Sequence, residues 1–187
     1  MLAFATVEAF QPLPHMGWKG SRQVARKLSE GDSIPMDFEL FILDDDNAPT
    51  AVPAKEVFSG KKVVVFGLPG SLTPTCSEAM LPAYIEKVDE FKSKGVDTVA
   101  CLAVNDPFVM GEMSRQKDPE KTILMLGDGS AAFTKALGLE FDTAGFGGVR
   151  CRRCAFVVED GKATTVKLEE GGKFSGVAGA DSILSFL

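Results

Sequence analysis

Cys76 is the residue whose type and surroundings point most directly to chemistry. It lies in the stretch LPGSLTPTCSEAM, residues 68–80, between a run of valines and a segment with helical spacing. A cysteine in this setting is a packing residue, a metal ligand or a reactive thiolate. The turn before it is rich in proline, glycine and threonine hydroxyls, which favours the reactive role over packing.

The elements expected around Cys76 place its sulfur near unpaired backbone donors. KKVVVFGL (61–68) predicts a buried strand, and helical spacing follows the turn. The helix start has two interpretations: Thr75 and Glu78 form a capping box, or Thr73 is the cap of a helix that begins with proline. Either choice places Cys76 in the first helical turn, where N–H groups and the helix dipole face its sulfur.

A helix terminus alone is too weak to ionise a thiol. A free thiol has a pKa of about 8.5 and is only a few per cent ionised at neutral pH. Near-complete ionisation needs about 4 kcal/mol, whereas a helix terminus supplies typically under about 1 kcal/mol and at most about 2. An arginine is the natural supplement, and RCRRC offers Arg150, Arg152 and Arg153 at the start of a strand. Alternate strand residues face opposite ways, so spacing does not decide which arginine meets Cys76.

Composition and charge exclude several function classes. The 187 residues are 45% apolar and 25% charged, which suits one globular domain. The net charge of −6 argues against a nucleic-acid partner, and no apolar run approaches the roughly 18 residues of a membrane span. The single histidine, His15, lies in the N-terminal segment. Ser-His and Cys-His catalysis are therefore not expected in the folded domain.

The N-terminal segment differs in charge from the rest of the chain. Residues 11–29 contain four basic residues and no acidic residue, and the Ala9-Phe10 junction before them resembles plastid preproteins of algae. We predict residues 1–29 as a targeting presequence, with a solvated tail as the alternative, and residues 30–187 as the folded domain. The expected location is a plastid, with the mitochondrion or cytoplasm as alternatives.

The remaining segments alternate between strand and helix patterns. Strands are predicted at 37–44, 61–68, 96–104 and 122–126, followed by a hairpin that turns at Asp160-Gly161. Helices are predicted at about 75–94 up to Gly95, from an Asp106 cap with Pro107 first, from a Ser130 cap to Gly138, and at the C-terminus. This order predicts an α/β, thioredoxin-like fold: a central mixed, mostly parallel sheet with helices on both faces.

The segment around Cys76 resembles a family signature. PGSLTPTC matches the Pro-x-x-x-Thr-x-x-Cys motif of peroxiredoxins, and KKVVVFGLPGSLTPTCSEAMLP, VNDPFVMGEM and RCAFVVEDG are similar to the type II, or peroxiredoxin-5, subfamily of plant and algal type. The resemblance covers about residues 33–187. It implies a homodimeric thiol peroxidase that reduces hydrogen peroxide and alkyl hydroperoxides without a cofactor, with thioredoxin or glutaredoxin as electron donor. A redox sensor that uses the same cysteine without efficient turnover is the alternative.

The resemblance also implies a role for each site residue. Cys76 matches the peroxidatic cysteine, Thr73 the threonine that orients the peroxide, and Pro69 the proline that shields the pocket from water. Arg153 matches the arginine that contacts thiolate and peroxide, where it would stabilise charge on the leaving oxygen. Cys101 matches the resolving cysteine of plant-type members, which form an internal disulfide.

The resolving role is favoured for Cys101, with a core strand residue as the alternative interpretation. Because Cys101 lies within a predicted strand, a bridge to Cys76 would require the first helical turn to unwind, and Pro82 removes a helical hydrogen bond just beyond it. Ser71-Leu72 replaces the usual Ala-Phe before Thr73.

Cys151 and Cys154 form a literal C-x-x-C spacing. On a regular strand, positions three apart face opposite sides, so we expect neither a bridge nor a metal site between them. An accessory thiol that is open to oxidation is the alternative interpretation.

Overall fold

The computed structural model describes residues 26–170 and 173–187, so most of the predicted presequence lies outside the described residues. The strands of the described chain are β1 Glu39–Leu43, β2 Pro49–Pro53, β3 Lys62–Leu68, β4 Thr98–Ala103, β5 Leu124–Gly127, β6 Glu140–Asp142, β7 Val149–Cys151, β8 Cys154–Glu159 and β9 Lys162–Leu168. The α-helices are α1 Ala54–Phe58, α2 Leu81–Glu86, α3 Val88–Ser93, α4 Pro107–Lys117, α5 Ala132–Ala136 and α6 Ala180–Leu184. A π-helical turn, Thr75–Met80, precedes α2, and a 3-10 turn, Ala144–Phe146, precedes β7. None of these helices is long and apolar enough to cross a membrane.

Seven strands form one sheet in the order β2-β1-β5-β4-β3-β8-β9. Strand β4 lies parallel to β3 and β5, and the other neighbours are antiparallel. The α/β class and the mixed sheet are confirmed, but the expectation of a mostly parallel sheet is wrong. Strand β1 lies antiparallel to β5 and forms a hairpin with β2. The sequence did not predict β2, because Pro49 and Pro53 argue against a strand. Proline is confined to sheet edges, and β2 is the edge strand of this sheet.

Helices cover both faces of the sheet, as predicted. Alternate residues of β3 point to opposite sides: Val64 and Phe66 pack on the face that also holds Cys76, while Val63 and Val65 pack on the other face. We call these the Cys76 face and the opposite face. Residues of α2, α3, α4 and α6 pack on the Cys76 face, and residues of α1 and α5 pack on the opposite face.

A stack of aromatic rings fixes α2 and α3 on the Cys76 face. The ring of Phe66 lies 4.0 Å from that of Tyr84, which lies 5.8 Å from that of Phe91, and both pairs are nearly parallel. The Tyr84 hydroxyl donates a hydrogen bond to the carbonyl of Ala178 at 2.8 Å. Such pairs contribute about 1 kcal/mol each beyond burial, so the helix after Cys76 is held firmly against β3.

The predicted helix over 75–94 is three consecutive pieces: the π-helical turn, α2 and α3. A break at Lys87 separates α2 from α3. The predicted end at Gly95 is confirmed, since α3 stops at Ser93 and Gly95 has a φ of +81°. Glycine suits this conformation because a Cβ would crowd the backbone.

Carboxylates cap two further helices. The amide of Val109 donates to Asp106 Oδ1 at 3.0 Å, which confirms the predicted cap of α4 with proline in first position. The Ser130 hydroxyl accepts from the amide of Ala132 at 3.3 Å, but Ala131 is the residue that precedes α5, so the predicted Ser130 cap is one residue too early. The chain enters α5 one residue later, and the buried carboxylate of Asp128 accepts from the amide of Thr134 at 2.7 Å.

The buried thiols predict a loss of stability in alkaline solution. Burial raises the pKa of Cys101 well above the ordinary value of 9.0, and a hydrogen bond with Cys154 together with burial raises the pKa of Cys151. Above pH 9 or so the unfolded chain ionises while the folded chain keeps these protons. The free energy of unfolding then falls by up to about 1.4 kcal/mol per pH unit for each thiol, with no such loss at neutral pH.

Urea unfolding at about pH 7.5 and about pH 10 measures this loss. The variant Cys101→Ala lacks one of the two groups, so its stability should fall less between the two conditions. An equal fall in the variant and the unmodified chain would contradict the assignment to Cys101.

Candidate active site

Cys76 is the second residue of the π-helical turn, so it lies in the first helical turn as predicted. The amide of Leu81 donates to the carbonyl of Cys76, five residues back. Pro82 follows, and in a regular α-helix its ring would press on the carbonyl of Glu78. The wider π turn relieves that contact, and turns of this kind are frequent at functional sites.

The loop between β3 and the π turn is held by its own hydrogen bonds. The Thr73 hydroxyl donates to the carbonyl of Gly70 at 2.7 Å, and the Thr73 carbonyl accepts from the amide and the hydroxyl of Ser77, each at 2.9 Å. Pro69 is half-buried directly after β3. Neither predicted cap forms: Thr73 bonds within the loop, and Glu78 pairs with a lysine of α4 at 2.8 Å.

Ser71 and Leu72 shape the outer part of this loop. Ser71 is buried; its amide donates to Asn105 Oδ1 at 3.3 Å and its hydroxyl to Met110 Sδ at 3.1 Å. Leu72 has a φ of +63° and exposes 41% of its surface. A left-handed leucine is unfavourable, so the anchoring of Ser71 to the end of β4 and to α4 offsets the cost of turning Leu72 outwards.

Arg153 is the arginine that reaches Cys76. Its Nη1 lies 3.5 Å from Cys76 Sγ and 3.6 Å from Met80 Sδ. Cys76 is fully buried and Arg153 is 4% exposed. Arg153 is therefore the arginine whose guanidinium lies beside the buried sulfur, which spacing alone did not decide.

The other two arginines of RCRRC have different partners. Arg150 donates to the carbonyls of Val104 and Gly147, each at 2.9 Å. The guanidinium of Arg152 lies over the ring of Phe141, 5.9 Å from its centre. Both therefore stabilise the small β6–β7 hairpin, and neither shares the Cys76 contact.

Glu169 is a buried carboxylate that the sequence did not reveal. Its amide donates to the carbonyl of Arg153 at 3.0 Å. Its side chain accepts from the hydroxyl of Ser175 at 2.6 Å and from three loop amides at 3.1 Å. Burial opposes ionisation of Glu169, but these hydrogen bonds outweigh it and lower the pKa. The loop that they fold carries Phe174, whose ring centre lies 5.7 Å from the guanidinium of Arg153.

Cys101 lies in the middle of β4, opposite Phe66 of β3 and Met125 of β5. It is fully buried on the Cys76 face, and all four cysteines are free thiols. Burial, and then the charges of Cys76 and Cys154, raise the pKa of Cys101. In this position it is a protonated, unreactive core residue.

Known proteins match both the sequence and the fold. The Redoxin family model matches residues 29–184. Peroxiredoxin-2B of Arabidopsis thaliana is 43% identical over 161 residues, which cover 86% of this chain and 98% of that relative. Peroxiredoxin-2E, chloroplastic, of the same plant is 36% identical over 186 residues, which cover 97% of this chain and 75% of that relative. The crystal structure of reduced Prx3 in complex with H₂O₂ from Vibrio vulnificus has a TM-score of 0.79 at 45% identity, covering 85% of this chain and 98% of that one.

The chain belongs to the Redoxin family, and within it to the type II peroxiredoxins. The resemblance and the thioredoxin-like fold are thereby confirmed. This peroxiredoxin is a thiol peroxidase with an antioxidant function, acting on peroxides with electrons from a thiol reductant. The alternative of a sensor without turnover is not favoured.

The contacts of Glu169 predict that it positions the arginine of this peroxiredoxin. Glu169→Ala removes four hydrogen bonds from the loop that carries Phe174, so Arg153 loses its aromatic neighbour. We expect the rate of Cys76 oxidation by hydrogen peroxide to fall roughly three- to tenfold. Rapid quenching with N-ethylmaleimide followed by mass spectrometry measures that rate.

Glu170→Ala is the matched control, because the neighbouring side chain is exposed. Circular dichroism of both variants separates a local effect from unfolding. Equal oxidation rates in the two folded variants would rule out the positioning role.

Proposed function

We propose that this peroxiredoxin reduces hydrogen peroxide and alkyl hydroperoxides at Cys76. The observation that carries the proposal is the buried contact between Arg153 Nη1 and Cys76 Sγ at 3.5 Å. The thiolate attacks one peroxide oxygen and the O–O bond breaks. The other oxygen leaves with the electron pair, takes a proton and departs as water or alcohol, and Cys76 becomes a sulfenic acid.

Three residues near Cys76 suit a peroxide. Arg153 Nε is buried and lacks a hydrogen-bond partner among the described residues, so it is available to an oxygen that gains negative charge. The Thr73 hydroxyl already donates to Gly70, which leaves its oxygen to accept the peroxide proton. Pro69 adds no N–H at the pocket wall and limits access of water. The relative from Vibrio vulnificus was crystallised with H₂O₂, which supports this substrate.

Cys101 is proposed to resolve the sulfenic acid. Its sulfur attacks the Cys76 sulfur, an S–S bond forms, and the sulfenic oxygen leaves as water. Both cysteines pack on the same face of the sheet, which supports this pairing. Cys101 is fully buried within β4, so the π-helical turn must open first, and the π turn with Pro82 is the weak point of that helix.

The proposed electron donor, which reduces the disulfide, is thioredoxin or glutaredoxin. The enzyme is proposed to be a homodimer and to be located in a plastid. Chloroplastic and mitochondrial proteins are among the relatives, which supports an organelle. Fusion of residues 1–29 to a fluorescent protein tests the plastid, and cytosolic fluorescence would exclude it. Sedimentation velocity tests the dimer, and a monomer at micromolar concentration would exclude it.

A peroxidase assay with each donor tests the proposed roles of the two cysteines. Cys76→Ser removes the nucleophile, so turnover should fall by about a thousandfold or more with either donor. Cys101→Ser should lose turnover with thioredoxin, because no internal disulfide forms. Full activity of Cys76→Ser would refute the central claim, and normal recycling of Cys101→Ser with every donor would refute the resolving role.

The same assay includes an arginine pair as its control. Arg153→Lys keeps the charge but loses the fixed donors, so the rate should fall about a hundredfold. Arg152→Lys changes an adjacent arginine that does not contact Cys76 and should retain the rate. Equal losses in both variants would show that the contact between Arg153 and Cys76 is not the origin of reactivity.

A further inference from the structure

Cys151 and Cys154 lie apart from the peroxide site. Cys151 ends β7 and Cys154 begins β8. Both are fully buried on the opposite face of the sheet, with Phe156 and Val158, whereas Cys76 and Cys101 lie on the Cys76 face. The proposed peroxidase cycle uses neither of them.

The two side chains point to the same place, so the expectation that they face opposite sides is wrong. That expectation assumed a continuous strand, but Arg152 and Arg153 interrupt it between β7 and β8. The interruption rotates Cys154 back towards Cys151. The C-x-x-C spacing thus spans a bend.

Gly67 of β3 provides the space in which the two sulfurs meet. It lies directly across the sheet from Cys154. A Cβ at position 67 would lie 2.6 Å from Cys154 Sγ and 2.8 Å from Cys151 Sγ. The sulfurs therefore lie beside the same point, and the Cys151 thiol donates to the backbone carbonyl of Arg152 at 3.3 Å within the same bend.

The two sulfurs lie on one side of the bend, each within 2.8 Å of the position that a Cβ at residue 67 would take. Rotation of the two side chains about their Cα–Cβ bonds is the movement that would bring them to the S–S length of about 2.05 Å. Arg153 lies inside the small ring that the bond would close, and its guanidinium lies beside Cys76 on the other face. A covalent link at this bend would fix the backbone that carries the arginine.

We propose that Cys151 and Cys154 are a second redox site, at which a hydroperoxide converts the two thiols into an internal disulfide. One sulfur attacks a peroxide oxygen, the O–O bond breaks, and water or alcohol leaves, which gives a sulfenic acid. The second sulfur attacks the first, forms the S–S bond and releases the sulfenic oxygen as water. Two thiols lose two electrons and two protons, and one hydroperoxide is reduced.

This site reacts more slowly than Cys76. Both sulfurs are fully buried, so the bend must open before a peroxide reaches them. Among the described residues no arginine guanidinium forms a hydrogen bond with either sulfur, and the Cys151 thiol bonds instead to the backbone carbonyl of Arg152. The second site therefore acts only when hydroperoxide is in excess.

The double variant Cys76→Ser, Cys101→Ser tests the proposal independently of the proposed function, because only Cys151 and Cys154 remain. The folded protein is treated with excess hydrogen peroxide, blocked with N-ethylmaleimide and digested with trypsin without reductant. Trypsin cuts after Arg152 and Arg153, so a disulfide joins two peptides that are otherwise separate. We expect the joined pair to replace the separate blocked peptides, with one peroxide consumed per chain.

A third substitution, Cys154→Ala, is the matched control and should abolish the joined pair. If the double variant does not fold, the same digest of the unmodified chain serves, because Cys76 and Cys101 lie in other tryptic peptides, 63–87 and 95–115. Retention of both blockable thiols, or sulfinic acid without a joined pair, would overturn the proposal. So would a pair that forms only in urea, since the folded geometry would then not be responsible.

Discussion

The contact between the guanidinium of Arg153 and the sulfur of Cys76 is the interaction on which the rest of the site depends. A buried cation costs several kcal/mol unless an opposite charge or strong acceptors surround it. Within residues 26–170 and 173–187 no carboxylate forms an ion pair with Arg153. Its neighbours are two sulfur atoms and the face of Phe174. The Cys76 sulfur therefore faces a buried guanidinium that has no carboxylate partner among these residues.

The sheet order makes that contact possible. Strand β8, which follows Arg153, is the antiparallel neighbour of β3, which leads into the Cys76 loop. The aromatic stack on Phe66 then holds the helix after Cys76 against the same strand. Glu169 links the Arg153 backbone to the loop that carries Phe174, because its amide bonds to Arg153 and its carboxylate bonds to that loop. A site without histidine therefore rests on three separate segments of the chain, brought together by two neighbouring strands.

The sequence predicted those features of the site that depend on residues close together in the chain. The turn and the proline predicted a helix start at Cys76, and the free energy of thiol ionisation required an additional cation. The choice among three arginines depended on how β8 lies against β3, a long-range relation that spacing does not contain, and only the family resemblance selected Arg153. The hairpin of β1 and β2 was concealed by its prolines. The bend at Arg152 and the role of Glu169 involve backbone groups, which have no side-chain signature.

Gly67 has a consequence for how this sequence can change. Its missing side chain is space that the sulfurs of Cys151 and Cys154 occupy, so the effect of a substitution at any of these three positions depends on the residues at the other two. An alanine at 67 would also place its Cβ 2.9 Å from the backbone carbonyl oxygen of Arg152, so smaller groups at 151 and 154 do not by themselves make room for it. Larger groups at 151 or 154 are excluded while the strand neighbours remain in register. The backbone of the bend therefore requires the glycine as well as the sulfurs do, and the glycine should outlast the cysteines when this part of the sheet diverges.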